Sequence, residues 1–313
     1  MKIAIIGTGG VGGYFGGRLA QSGNEVTFVA RGEHFRVIRD RGLMVKSIHG
    51  DFKLESVRVV ERISELDFPE LVILGVKAWQ VKEVAVELAE VIDQNTMVLP
   101  LQNGILAAEE LCVTLPIQNV LGGLCRIISK IEAPGIICHF AVDPIIIFGE
   151  LNQQQTARLE KIKQVFERAA INVRIAENIQ AETWKKFISI CTSGLLAVTR
   201  SSHGVVRELK ETRELMLELL TEIYQLSQQL GVKLESDLVA QTVAYLEALP
   251  YDSTTSMARD IWAGRPSELE YQNGTVVRLG EKFHIPTPVN RFIYSTLLPL
   301  ELKARKNRTE ILR

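Results

Sequence analysis

Neither sign of charge prevails in this sequence. Its 36 lysines and arginines stand against 37 aspartates and glutamates, a formal net charge of −1. A chain so balanced lacks the basic field that would gather nucleic acid or an anionic membrane surface. Cysteine is scarce: Cys112, Cys125, Cys138 and Cys191 form no CxxC pair and no short metal-ligand spacing. Reduced thiols in a cytoplasmic protein, with no metal site, are therefore expected. No run of about 18 apolar residues occurs, so nothing is expected to span a bilayer. The opening "MKIAIIGTGG" breaks its apolar run with glycines too early for a secretory signal and shows no small-residue cleavage pattern. What is present is ordinary globular composition, 46% hydrophobic and 23% charged, over 313 residues. That length allows about two domains.

The order of elements gives the fold class. "KIAII" (2–6) is a short continuous apolar run, the mark of a strand buried on both faces of a parallel sheet. "EVTFVA" (25–30), "LVILGV" (71–76) and "TMVLPL" (96–101) read as further buried strands, with a helix predicted over 79–92. Strands alternating with helices imply an α/β, doubly wound sheet of Rossmann type. Beyond it, "NVLGGLCRIISKI" and "GIICHFAVDPIIIFGE" look like strands joined at the turn "EAPG" (132–135). A helix over 159–170 and a last strand over 172–177 follow. From there nearly everything carries a helical pattern, so residues 1–177 are expected to form the nucleotide-binding domain and 178–313 a helical second domain. Its long apolar helices could serve a homodimer interface, although a core of their own is the commoner use of such stripes.

The stretch "GTGGVGGYFGG" contains G-x-G-x-x-G as Gly7, Gly9 and Gly12. It follows a predicted strand and opens a predicted helix, the context in which the motif binds a dinucleotide. Gly7 makes the tight turn, Gly9 lets the pyrophosphate approach the backbone, and Gly12 lets helix pack on strand. Gly13, Gly16 and Gly17 each cost the helix about 1 kcal/mol relative to alanine, a cost that close helix–sheet packing would offset. In NAD enzymes an acid at the end of the second strand binds the ribose diol. Here that place holds Arg31, and a guanidinium suits a 2′-phosphate, so NADP(H) is the expected cofactor. Glu33, the rival acid, reads better as a first-turn helix residue.

Taken in order, "GTGGVGGYFGG", "VAR", "VKAWQ" (76–80), "LQNG" (101–104), "WKKF" (184–187), the Ser256–Asp260 stretch "SMARD" and "SELEYQNG" (267–274) resemble the ketopantoate (2-dehydropantoate) reductases over almost the whole chain. The resemblance implies an NADPH-binding Rossmann domain and a C-terminal domain similar to that of 6-phosphogluconate dehydrogenases, with the active site in a cleft between them. It implies reduction of a 2-oxo acid to a 2-hydroxy acid, by default ketopantoate to pantoate on the route to pantothenate and coenzyme A. Lys186 then matches the catalytic lysine and Glu268 the active-site acid. Asn103 matches the residue bridging cofactor and substrate, and Ser256 the one that binds the substrate carboxylate. Lys77, just past a strand, lies at the carboxyl end of the sheet where cofactors bind.

Helical spacing separates the two adjacent lysines on other grounds. Trp184, Phe187, Ile188, Cys191 and Leu195 form an apolar stripe. Lys185 stacks above Ser189 and Thr192, a polar column expected to face water. Lys186 stacks above Ile190, Ser193, Gly194 and Ala197, a small and mostly apolar column that suits a partly desolvated cleft lysine. An ammonium there would stabilise the alkoxide formed by hydride addition and then protonate it. The resemblance also exposes a departure. Characterised members carry asparagines one and two turns after the lysine, and a third further on; here those positions are Ile190, Gly194 and Gly204. Two alternatives therefore stand beside the ketopantoate reading: a reductase for a more apolar 2-oxo acid, and a non-catalytic NADPH-binding protein.

Overall fold

The apolar run at the N-terminus is β1 (Lys2–Ile6), the middle strand of a parallel sheet in a computed structural model that describes residues 1–311. After it come α1 (Gly10–Gln21), β2 (Glu25–Val29), α2 (Gly32–Arg41), β3 (Leu43–Ser47), β4 (Phe52–Leu54), β5 (Arg58–Val60), β6 (Leu71–Leu74), α3 (Val81–Leu88), β7 (Met97–Pro100) and α4 (Ala107–Cys112). The sheet order is β5-β2-β1-β6-β7, with every pairing parallel. The winding reverses between β1 and β6, the switch point at whose carboxyl ends ligands bind in such sheets. All four residues of β6 and of β7 are buried, as unbroken apolar runs require. The helix expected over 79–92 is shorter than its pattern: a single 3₁₀ turn (Ala78–Gln80) precedes α3, which ends at Leu88.

A second sheet was only half legible. β8 (Leu121–Ala133) and β9 (Ile136–Glu150) form the expected hairpin, turning at Gly135 with φ +75°. β9 is long enough to give β8 one whole edge and to share the other. Its first half pairs in parallel with β3, and its second half with β10 (Asn172–Ile175), which follows α5 (Ala157–Arg168). β3 and β4 of this sheet, and β5 at the edge of the first, give no clear strand signal in the sequence, being short, half-exposed and interrupted by charged residues. α1 packs against both sheets, which accounts for its glycines. A Cβ at Gly16 would lie 2.7 Å from both Ile5 and Phe28 of the first sheet. One at Gly13 would lie 2.6 Å from Ile137 of the second.

The chain divides into two compact units: residues 1–102 with 106–180, and residues 103–105 with the chain from Ala181 onward. The second unit is helical. It comprises α6 (Ile179–Ile190) after its first two residues, α7 (Ser193–Thr199), α8 (His203–Glu208), α9 (Lys210–Gln229), α10 (Leu238–Glu247), α11 (Ser256–Trp262), α12 (Asn273–Phe283) and α13 (Pro288–Ile311). Its core gathers the whole stripe Trp184, Phe187, Ile188, Cys191 and Leu195, with Leu219, Ile223, Val276 and Ile293. One expectation is corrected. The column under Lys185 does not face water: Ser189 and Thr192 are both buried. Each hydroxyl instead donates to a carbonyl of the preceding turn, Ser189 to Lys186 and Thr192 to Ser189, both at 2.7 Å. The helix also breaks between Ile190 and Ser193, so a single helical period cannot be carried from Lys185 through to Thr192.

Candidate active site

In the first unit the glycine loop occupies the switch point. Gly7 has φ +92°, and a Cβ there would sit 2.6 Å from the Val76 amide nitrogen at the end of β6. Only glycine meets both demands. Gly12 is as tightly placed, its Cβ position 2.2 Å from the Gly7 carbonyl oxygen. Gly9 differs, since nothing lies within 4 Å of where its Cβ would be. It is also the N-cap of α1, with no side-chain capping bond and no acid in the first turn. The first-turn N–H groups are thus not capped by a side chain, and the open space before Gly9 is where a phosphate would approach them. Arg31 is the N-cap of α2, its side chain 67% exposed and 3.9 Å from Glu87. Lys77 caps the 3₁₀ turn after β6, with its ammonium 5.8 Å from the Trp79 ring centre. Glu33 is indeed a first-turn residue of α2.

Two side chains brace the glycine loop and the end of the neighbouring strand β6. The Gly135 N–H donates to His34 Nδ1 at 3.0 Å, which leaves Nε2 as the protonated nitrogen, 2.7 Å from the Thr8 carbonyl. The imidazole so pins the glycine loop, and burial pulls its pKa below the usual histidine value despite the Thr8 bond. Gln102, two residues past β7, donates from Nε2 to the carbonyls of Leu74 (2.9 Å) and Val76 (3.1 Å). It thereby fixes the backbone that leads into Lys77. Gln102 falls within the "LQNG" stretch of the resemblance, but its bracing role, like that of His34, rests on contacts 26 or more residues away that spacing does not reveal.

The second unit collects the expected chemical groups. Lys186, in the third turn of α6, is only 8% exposed. Lys185 pairs with Glu235 at 2.6 Å and Glu182 at 3.7 Å, which makes it a surface ion-pair residue. Glu268 is 6% exposed and accepts a 2.9 Å hydrogen bond from Asn103 Nδ2 across 165 residues of chain. Asn103 reaches it because Asn103–Ile105 belongs to this unit and not to the one on either side of it in sequence. Gly104 makes the approach possible, with φ +98° and a Cβ position 2.9 Å from the Tyr271 carbonyl. The nearby Glu270 is committed elsewhere, accepting from Arg278 at 2.5 Å and from Tyr294 Oη at 2.7 Å. Of the two acids of "SELEY", Glu270 is thus the one tied to Arg278 and Tyr294. Ser256 opens α11 with an exposed side chain, while Thr255 is the hydroxyl that caps the helix, accepting from the Ala258 N–H at 3.2 Å. Cys191 is fully buried, and burial raises its thiol pKa well above the ordinary value, so it is an inert core residue.

At two of the three departures, another side chain takes up the space; nothing in the structure explains Ile190. A Cβ at Gly194 would lie 2.4 Å from Asn273 Oδ1 and 2.5 Å from Ile293. Asn273 is completely buried, donating to the Cys191 carbonyl and to Asn290 Oδ1. An asparagine thus fills the space in front of residue 194 from another helix. At Gly204 the Tyr251 ring occupies the same place, 2.3 Å from the Cβ position.

Comparison with known proteins decides the family. The description "Ketopantoate reductase PanE/ApbA" matches residues 3–153, and its C-terminal counterpart matches 178–301. The chain belongs to the ketopantoate reductase family. A 2-dehydropantoate 2-reductase of Pyrococcus abyssi is 29% identical over 301 residues, covering 95% of this chain and 97% of that one. An uncharacterized oxidoreductase of Bacillus subtilis, YkpB, is 28% identical over 298 residues, covering 95% and 98%. Among solved structures, a PanE/ApbA family ketopantoate reductase from Ralstonia eutropha superposes with a TM-score of 0.89 at 27% identity, covering 97% of this chain and all of that one. A D-mandelate dehydrogenase with NADH and anilino(oxo)acetate shares the fold at a TM-score of 0.88 and 24% identity, with 97% and 99% covered. The ketopantoate reductase fold assigned from sequence, a Rossmann-type domain plus a helical one, is the fold observed. The chain is an oxidoreductase dependent on a nicotinamide dinucleotide. Among the described residues no helix is long and apolar enough to cross a membrane.

Proposed function

We propose that this protein reduces a 2-oxo acid to the 2-hydroxy acid with NADPH, and that 2-dehydropantoate is the first substrate to consider. The observation that carries the reading is the buried Glu268, fixed by Asn103 within the same compact unit as the buried Lys186. Binding a dinucleotide needs neither group. A bound reduced nicotinamide supplies the hydride. Gly7, Gly9 and Gly12 with the first turn of α1 hold its pyrophosphate, Arg31 takes the 2′-phosphate, and Lys77 lies past the strand that flanks the switch point. Asn103 serves both cofactor and substrate. As hydride reaches the carbonyl carbon, negative charge grows on the carbonyl oxygen, and the Lys186 ammonium stabilises it and then gives up its proton. The hydroxy acid leaves with one hydride and one proton gained. Glu268 holds the substrate hydroxyl or Lys186 in register, and Ser256 binds the substrate carboxylate. Ketopantoate reduction would place the enzyme in pantothenate synthesis.

Ile190 and Gly194 favour a second reading, the same reaction on a more apolar 2-oxo acid. Where an amide would hydrogen-bond a substrate hydroxyl, Ile190 offers only hydrocarbon, and such a site discriminates poorly in favour of that hydroxyl. The D-mandelate dehydrogenase shows that one fold accommodates another substrate. The deciding experiment follows NADPH absorbance across a panel of 2-oxo acids including ketopantoate, with NADH as the control. A lower KM for ketopantoate than for its apolar analogues supports the first reading, and the reverse order the second. Tight NADPH binding without turnover of any panel member would leave a non-catalytic binding protein.

A further inference from the structure

Glu268 does not sit on a regular element. It precedes a lone 3₁₀ turn (Leu269–Tyr271), and a single turn with one cap bond cannot by itself fix a carboxylate. The neighbouring Ser267 is completely buried, and every polar group it has is used. Its N–H lies 3.1 and 3.0 Å from the two carboxylate oxygens of Glu301, and its hydroxyl donates to Glu301 Oε2 at 2.6 Å. That hydroxyl oxygen in turn accepts from the Leu269 N–H at 3.2 Å. The Ser267 carbonyl accepts from Arg305 Nη2 at 3.1 Å, and Arg305 Nε meets Glu301 Oε1 at 2.7 Å. Glu301, 1% exposed, and Arg305 are one turn apart on α13, so one helix of the second unit grips Ser267 at both its N–H and its carbonyl.

Burying a carboxylate without partners is costly, and an apolar pair would fill the same volume at less risk. What the buried pair adds is direction. Charge-assisted bonds to both the N–H and the hydroxyl, with an arginine closing the carbonyl side, define the rotation of the Ser267 backbone about its own axis. The Ser267 carbonyl held by Arg305 lies in the peptide plane that leads to Glu268, and with the Ser267 N–H and hydroxyl held by Glu301 it sets the direction in which the Glu268 Cα leaves.

We propose that Glu301, with Arg305, is a positioning residue that acts through Ser267 to aim the Glu268 carboxylate. This rests on the reading of Glu268 as the acid that meets substrate or Lys186. The test compares Glu301→Gln, Glu268→Gln and the double variant of the full-length protein, with NADPH and whichever 2-oxo acid of the panel is turned over fastest. Glu301→Gln should lower kcat by about ten- to hundredfold, the effect of a sub-ångström misplacement. NADPH affinity, read by fluorescence titration, should stay within about twofold. The double variant should be no slower than Glu268→Gln alone, because a residue that acts only through Glu268 has nothing left to aim. Independent, multiplying losses would make Glu301 a general stabiliser and overturn the proposal, as would full kcat in Glu301→Gln. Should Glu301→Gln fail to fold, Ser267→Ala removes the hydroxyl alone and must show the same non-additivity with Glu268→Gln. An unchanged kcat in Glu268→Gln would instead refute the role given to Glu268, an outcome distinct from failure of the clamp.

Discussion

At the scale of single residues, the two adjacent lysines make the clearest contrast. Lys185 is tied to Glu182 and Glu235 at the surface, while Lys186 is buried one position on. Lys186→Ala is expected to lower kcat by about 10²–10³, the usual loss of a donor to a developing oxyanion, and to leave NADPH affinity unchanged. Lys185→Ala should keep both, losing at most about 0.5 kcal/mol of stability as an exposed ion pair does. Steady-state kinetics and NADPH titration of the two variants separate the roles. Arg31 supports a second prediction. Its exposed guanidinium stands where an acid would select NADH, so Arg31→Ala should raise the KM for NADPH about tenfold, the worth of one charge-assisted contact. The KM for NADH should stay nearly constant, and assays with both cofactors check it.

At the scale of elements, α1 is the part whose sequence most directly dictates packing. Gly12 and Gly16 face the parallel sheet, and Gly13 and Gly17 the second sheet, so one glycine-rich helix is pressed between two layers. Gly16→Ala gains helix propensity but drives a methyl group to 2.7 Å from Ile5 and Phe28. The overpacking cost should win, lowering stability by about 1–3 kcal/mol, measured as a shifted urea midpoint. The extra glycines were legible as a penalty needing compensation, but not as two faces, because the sequence does not announce that β3, β8 and β9 build a second sheet. On α6 the reverse happened. Its apolar stripe was read correctly, yet the buried Ser189 and Thr192 were not, because a hydroxyl that bonds its own helix is satisfied without water and no periodicity reveals that.

At the scale of the whole molecule, each unit contains a histidine held neutral by burial. Desolvation, aided by Arg207, pushes His203 down to about 4. His34 is likewise lowered by burial. The folded state therefore binds fewer protons than the unfolded chain below the ordinary histidine value near 6.5. Stability is full above that value and is lost as pH falls towards about 4, by up to about 3 kcal/mol for His203. Urea unfolding at about pH 7.5 and about pH 5 should show a lower midpoint in acid. His203→Gln should flatten the dependence, and a pH-independent midpoint in the parent protein would contradict the burial argument.

The local pattern of residues determined the class of fold, the glycine loop and the apolar stripe of α6, because strand runs, helical spacing and glycine geometry act over a few neighbours. Tertiary structure alone decided that Asn103 joins the helical unit and holds Glu268, that Glu270 is spent on Arg278 and Tyr294, and that Asn273 occupies the space before Gly194. Those outcomes depend on groups up to 165 residues apart meeting within hydrogen-bond distance. Such encounters follow from how helices pack, and the order of residues along the chain carries no trace of them.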